Sequence, residues 1–170
     1  MIDNIYEIVE EACKSPDNYF GYGIWKHHIL RVITYGKLMS QKHGADEEVV
    51  ELAALLHDYA SVKDYSLYEN HHIHSSEEAE KILQKFNYSE AVIEKVKEAI
   101  FSHRGSIASE RKSKEALCLA DADAMAHFDS ASSLFYLAFF SHKMDVDEAN
   151  EWLMGKLERS WHKLSLEAQA

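Results

Sequence analysis

The stretch Ala53-Ala54-Leu55-Leu56-His57-Asp58-Tyr59 sets an imidazole and a carboxylate directly behind four apolar residues. Val50, Ala53, Ala54 and His57 recur at three- and four-residue spacing, so the period is helical and His57 continues the buried stripe. Asp58 follows about 100° further round the same helix. An unpaired buried carboxylate is costly. A cation is therefore expected to meet it, and the neighbouring imidazole points to a metal ion. Taken alone, the pair also reads as a core histidine followed by a solvent-facing aspartate at a helix end, because short motifs recur by chance. The rest of the chain decides between the two.

Composition narrows the class. The 170 residues fit one domain large enough for a real core. Hydrophobic residues make up 46% and charged residues 28%, as in ordinary globular proteins. One proline and six glycines leave few breaks, which favours long helices. A net charge of -11 argues against a nucleic-acid polymer as partner, since no basic stripe is present to neutralise phosphates. Cys13 and Cys118 lack pairing or zinc spacing and read as core thiols in a reducing compartment. No signal peptide is recognisable, and the longest apolar run, Leu134 to Phe140, is too short to span a bilayer. The expectation is a cytoplasmic protein without a membrane partner. Eleven histidines are many for this length, and they gather on a few segments.

Along the chain, Ile5, Ile8, Val9 and Ala12 mark a first helix, ended by Ser15-Pro16. Tyr19 to Gly23 is an aromatic, glycine-bearing turn. Residues 24–43 read as one long helix closed by Gly44. Asp46 is a good N-cap for the next helix, which is expected to run to about Ala60. Residues 61–74 show no clear period and read as a loop. Helix resumes at Ser75/Ser76, and again at Ser89, where Val92, Ile93, Val96, Ile100 and His103 take the inner side. Gly105 is expected to stop that helix, and residues 106–113 to form a polar loop. From Lys114 a helix runs past Asp121 to Phe139, with or without a kink. Asp145 or Asp147 caps a last helix, about 146–167, with Trp152, Leu153, Leu157, Trp161 and Leu164 as its apolar seam. The expected architecture is one all-α domain over residues 1–170, a bundle of six to eight helices.

Four segments carry ligand-type residues. His28 is followed one turn later by Arg31, which could hold a carboxylate or phosphate nearby. His57-Asp58 is the second. The third joins His71-His72-Ile73-His74 to His103-Arg104. The fourth, Asp121-Ala122-Asp123, stands among Ala, Leu and Cys, where acids are otherwise out of place. Two histidines and two aspartates form a mixed N/O set suited to a five- or six-coordinate ion with open positions: manganese, iron, cobalt, nickel or magnesium. A structural zinc site is less natural without cysteine.

These residues resemble the HD superfamily of metal-dependent phosphohydrolases. His28-Ile29-Leu30-Arg31-Val32 matches its His-x-x-Arg-Val context, Leu55-Leu56-His57-Asp58 its Leu-Leu-His-Asp, and Asp121-Ala122-Asp123 its Asp-Ala-Asp. The likeness spans about residues 24–140. It implies a helical bundle and a divalent ion held by His28, His57, Asp58 and Asp123. The stretch from His71 to Ser76 further resembles the His-Pro-Glu-Ile-Gly-Ala segment of HD-GYP phosphodiesterases, and His103 stands where those proteins carry another histidine. This implies His71 and His103 as ligands of a second ion. The Pro and Gly are missing, Arg104 replaces a second histidine and no Gly-Tyr-Pro motif exists, so cyclic dinucleotide cleavage is not implied.

The resemblance implies hydrolysis of a small phosphorylated molecule, nucleotides first, with Asp58 binding the ion and orienting a water. His103 lies on an inner stripe and His71 ends a segment that starts beside Asp58, so both are expected to face the ligands and to act as general acid if they bind no ion. Arg104, Lys63 and Arg111 are candidates for phosphate oxygens, although a solvated surface charge is the simpler reading of the last two. Two alternatives stand beside this one: a di-iron HD-type oxygenase, and a non-catalytic binding module. The sequence specifies neither the substrate nor the oligomeric state.

Overall fold

The computed structural model describes residues 1–104 and 111–170. Among the described residues ten α-helices occur in this order: α1 (Ile2–Lys14), α2 (Leu30–His43), α3 (Glu47–Leu56), α4 (Tyr59–Lys63), α5 (His71–Lys85), α6 (Glu90–Ser102), α7 (Lys114–Asp129), α8 (Ala131–Tyr136), α9 (Val146–Lys163) and α10 (Leu166–Gln169). Seven have ten or more residues, namely α1, α2, α3, α5, α6, α7 and α9. No strand occurs among the described residues. The expected stop at Gly105, and the polar loop from residue 106 to 110, lie outside them.

Helix α3 is the axis of the bundle. Val49, Val50 and residues 52–56 are all buried, so beyond Glu51 it is apolar all round and must be surrounded. Helices α1, α2, α5, α6 and α7 pack against it. Asp46 starts it by accepting from the Val49 amide, with Glu47 and Glu48 in the positive first turn. Each fully buried leucine here contributes about 1.5–3 kcal/mol. Helix α2 lies close to both α3 and α7 because Gly36 has no side chain. A Cβ there would meet Val50 Cγ1 at 3.0 Å and Ala122 Cβ at 3.9 Å. Gly44, with φ +62°, ends α2 in the left-handed region.

Three departures from the sequence reading all bear on the site. The long helix expected over 24–43 begins as a π-turn, Trp25–Ile29, whose Trp25 carbonyl accepts from the Leu30 amide. That wider winding carries His28 and Arg31 to different faces. Helix α3 does not continue to Ala60. It breaks at Asp58 (φ -106°, ψ 3°), in the sparsely populated bridge region that recurs at functional sites. The expected loop over 61–74 is mostly helical: α4, a 3-10 segment Tyr65–Asn70, and α5 starting at His71. Apart from Val62, its buried positions are polar. Ser75 accepts from the Ala60 amide at 3.1 Å, and Ser61 and His72 are buried, so no apolar period marks the segment.

Candidate metal centre

Breaks and helix ends deliver the ligand-type residues to one place. His57 is the C-terminal cap of α3, Asp58 the break before α4, His71 the first residue of α5 and His103 the cap of α6. His28 comes from the π-turn, and Asp123 from the middle of α7. His127 stands one turn beyond Asp123 on the same face of α7.

Three sets of ligand atoms converge. In the first, His28 Nε2 lies 3.1 Å from His57 Nε2, and each of these nitrogens lies 3.3 Å from Asp58 Oδ2. In the second, His71 Nε2 lies 3.5 Å from Asp58 Oδ1 and 3.2 Å from His103 Nε2. In the third, Asp123 Oδ1 lies 3.4 Å from His28 Nε2 and 3.6 Å from His127 Nε2. Asp58 therefore turns one oxygen to each of two sets. Asp121 faces elsewhere and accepts from the Ser165 amide and hydroxyl at 2.7 and 2.6 Å.

The backbone settles which ring nitrogens are free. Nδ1 of His57, His71 and His103 donates to the carbonyls of Ala54, Tyr68 and Ile100, at 2.8, 2.7 and 2.5 Å. A carbonyl only accepts, so each Nδ1 carries the proton in the neutral ring and each Nε2 presents a lone pair. Facing lone pairs about 3 Å apart repel unless a cation lies between them. Burial alone would push the Asp58 and Asp123 carboxyls up. The imidazoles around them, with Lys163 foremost for Asp123, hold both well below the usual range. Burial keeps His71, His103 and His127 below the usual imidazole value, hence neutral. His57 differs: burial opposes its charging, yet Asp58 and Asp123 raise it to about 9.

This donor set fits a divalent metal. Donors about 2.1 Å from an ion stand about 3.0 Å apart across an octahedral edge and about 3.4 Å across a tetrahedral one. The separations above fall close to those values. Ionised carboxylates and the neutral rings of His71, His103 and His127 are in the protonation states that metal ligation requires, and His57 would give up its proton to a bound ion.

Two cavities, of about 470 and 370 Å3, meet at the cluster and share His28, Asp58, Tyr68, His127 and Lys156. The larger is walled by Phe20, Tyr22, Leu134 and Tyr136, with hydroxyls from Ser130, Ser132 and Ser133. The smaller is the more charged, with Arg104, Lys156, Arg159 and Lys163 outnumbering Asp58, Glu69 and Asp123, a small excess of cations. Helix α9 accounts for much of this. Its spacing Trp152, Lys156, Ser160, Lys163 puts four residues on one stripe, all on the smaller cavity. Ser160 and Lys163 are buried, whereas Trp161, expected in an apolar seam, is 48% exposed.

Of the residues singled out from sequence, His28, His57, Asp58, His71, His103 and Asp123 come together, and Arg104 lines the smaller cavity while paired with Glu69 at 2.9 Å. Arg31 does not join them. The π-turn aims it at Asp129, 3.3 Å away on the surface. Lys63 is bound to Glu78 at 3.0 Å, and neither it nor Arg111 lines either cavity. The sequence reading missed His127, Lys156 and Lys163. The four-residue step from Asp123 to His127 was the available signal for the first. The two lysines carry none, since a lysine stripe also marks a solvated helix face.

An all-α bundle with histidines and aspartates from helix ends, a π-turn and the middle of α7 gathered at one place is the class this geometry defines. The HD domain family model matches residues 25–127, and the chain belongs to that family. No curated protein matches the sequence. Two solved structures are similar in fold. One is a predicted HD superfamily hydrolase from an uncultured Thermotogales bacterium, with TM-score 0.65 and 21% identity over 95% of this chain and 87% of that one. The other is Bacillus subtilis YpgQ in complex with ADP, with TM-score 0.50 and 20% identity over 95% and 93%. Helix α9 and its two lysines lie outside the span matched by the family model.

Proposed function

We propose that the protein is a metal-dependent phosphohydrolase acting on a small phosphorylated substrate, nucleotides first. The observation that carries this reading is the division of Asp58, one oxygen toward His28 and His57 and the other toward His71, at the mouth of a cationic cavity. His28, His57, Asp58 and Asp123 would hold one divalent ion, and Asp58, His71 and His103 a second. His127 is a further nitrogen donor for the first. Such an ion supplies Lewis acidity toward a phosphoryl oxygen and a more acidic water.

The chain's own groups do the rest. The two carboxylates offset the charge of a bound ion, leaving a nearly neutral centre that an anion approaches. Arg104, Lys156 and Arg159 attract the phosphate into the smaller cavity. Asp58 orients the attacking water. With one ion only, His71 and His103 remain available to protonate the leaving oxygen. The larger cavity offers aromatic walls and serine hydroxyls to a base or other ring. The similar fold of YpgQ, solved with ADP, supports nucleotides as the first compounds to assay.

The test is phosphate release from nucleoside mono- and triphosphates and from a chromogenic phosphoester, each with manganese, cobalt, nickel, iron or magnesium. Metal-dependent turnover of at least one compound is expected. A complete absence of turnover with every ion would leave the binding-module reading in its place.

A further inference from the structure

Helix α9 brings two ammonium groups to the centre, and their surroundings differ. Lys163 is buried, and its Nζ is bonded to Asp123 Oδ2. Asp123 Oδ1 is the oxygen that faces His28, His57 and His127, at 3.4, 3.9 and 3.6 Å. The carboxylate is therefore held at one end by a cation and presents the other to the imidazoles. A second link from the same helix, Ser160 Oγ to His127 Nδ1 at 2.9 Å, fixes that ring beside it.

Lys156 lies two turns earlier on the stripe, in the wall shared by both cavities. Among the described residues no ion pair engages it. The Trp152 ring stands 6.0 Å from its Nζ. Asp123 and Asp58 favour its charge from across the cavity without bonding to it, and a partly buried cation with no bonded partner is costly until an anion arrives.

We propose that α9 completes the active site: Lys163 is the positioning residue that aims Asp123 at the imidazoles, and Lys156 receives an oxyanion of the substrate phosphate. The Lys156 part rests on the phosphohydrolase reading, whereas the Lys163 part rests on metal binding alone. A bonded partner that orients a ligand carboxylate commonly accounts for 10–100-fold in metal affinity. A charge-assisted hydrogen bond to phosphate accounts for about tenfold or more in binding.

The experiment is calorimetric titration of the full chain with manganese, followed by titration of the manganese-loaded protein with inorganic phosphate. Lys163→Met is expected to weaken manganese binding at least tenfold, with Lys163→Arg recovering most of the loss. Lys163→Gln, a milder change, replaces Lys163→Met if that variant does not fold. Unchanged or tighter manganese binding in the neutral variant would overturn the positioning role, because it would make Lys163 a competitor of the ion. Lys156→Met is expected to keep manganese affinity within about threefold while weakening phosphate at least tenfold and raising KM more than it lowers kcat. Equal phosphate binding by Lys156→Met and the parent protein would remove Lys156 from the site. Normal manganese binding by the parent with no hydrolysis of any compound would refute the phosphohydrolase reading and leave the Lys163 result standing.

Discussion

His71 Nε2 and His103 Nε2 face one another at 3.2 Å, and each ring's other nitrogen is already committed to a backbone carbonyl three residues earlier. Two lone pairs cannot share that distance without a cation between them, and Asp58 Oδ1 stands 3.5 Å from one of them to balance its charge. If that cation is a second metal ion, His71→Ala or His103→Ala should each halve the metal bound. If the centre holds one ion, the same variants should keep their metal and lose turnover. Elemental analysis beside a phosphate-release assay separates the two. Full metal and full turnover in both variants would exclude either role.

His57→Ala should bring metal content well below one equivalent while the helical circular-dichroism spectrum persists. The variant removes a ligand and also leaves the Ala54 carbonyl without its donor. A cost of about 1–3 kcal/mol in stability is expected from that loss. Stoichiometric metal in the purified variant would contradict the assignment.

Both cysteines should resist thiol reagents in the folded protein. Burial, with Asp58 and Glu10 adding to it, pushes the Cys13 thiol up to about 12, and burial with Asp121 and Glu115 pushes Cys118 up to about 11. For an acid, a raised pKa means less thiolate at any lower pH, so reactivity should stay negligible at pH 8 and increase only toward pH 11. Ellman's reagent should detect no thiol before denaturation and two after it. Rapid labelling of the native protein at pH 8 would show that these sites open.

Gly36→Ala should lower stability by about 1–3 kcal/mol, because the new methyl meets Val50 Cγ1 at 3.0 Å in a packed core. Adding Val50→Ala removes the clashing methyl, so the double variant should be more stable than the sum of the single effects predicts. Urea denaturation of the four proteins measures the coupling. Strict additivity would mean that α2 simply moves away from α3.

Asp145→Ala should destabilise the protein by about 0.5–2 kcal/mol. Asp145 Oδ1 accepts from the Glu148 amide at 2.9 Å, and the Glu148 side chain accepts from the Asp145 amide at 2.9 Å, forming a capping box at the start of α9. Thermal melting followed by circular dichroism reads the effect, and an unchanged midpoint would show that tertiary contacts alone hold that end of α9.

Local pattern was enough for the helical class, because a 3.6-residue apolar period and few breaking residues report burial directly. It was enough as well to mark His57-Asp58 and Asp121-Ala122-Asp123, since acids and imidazoles inside apolar stretches are conspicuous wherever the chain folds, whereas the choice of His28 and of Asp123 over Asp121 came from the resemblance to the HD superfamily. Tertiary structure decided the rest. The π-turn that parts His28 from Arg31 and the break that turns Asp58 between two sets of imidazoles depend on backbone geometry, to which side-chain period is blind. The segment from Ser61 to His74 hid its helices because most of its buried side chains are polar, Ser61 donating to the Asp58 carbonyl and His71 to that of Tyr68, and give no apolar period. Lys156 and Lys163 look like solvated charges in the sequence. Only the packing of α9 on α7 brings Lys163 against Asp123, 40 residues away, and makes those charges part of the centre. A polar residue's role depends on its partner, and the partner is chosen by the fold.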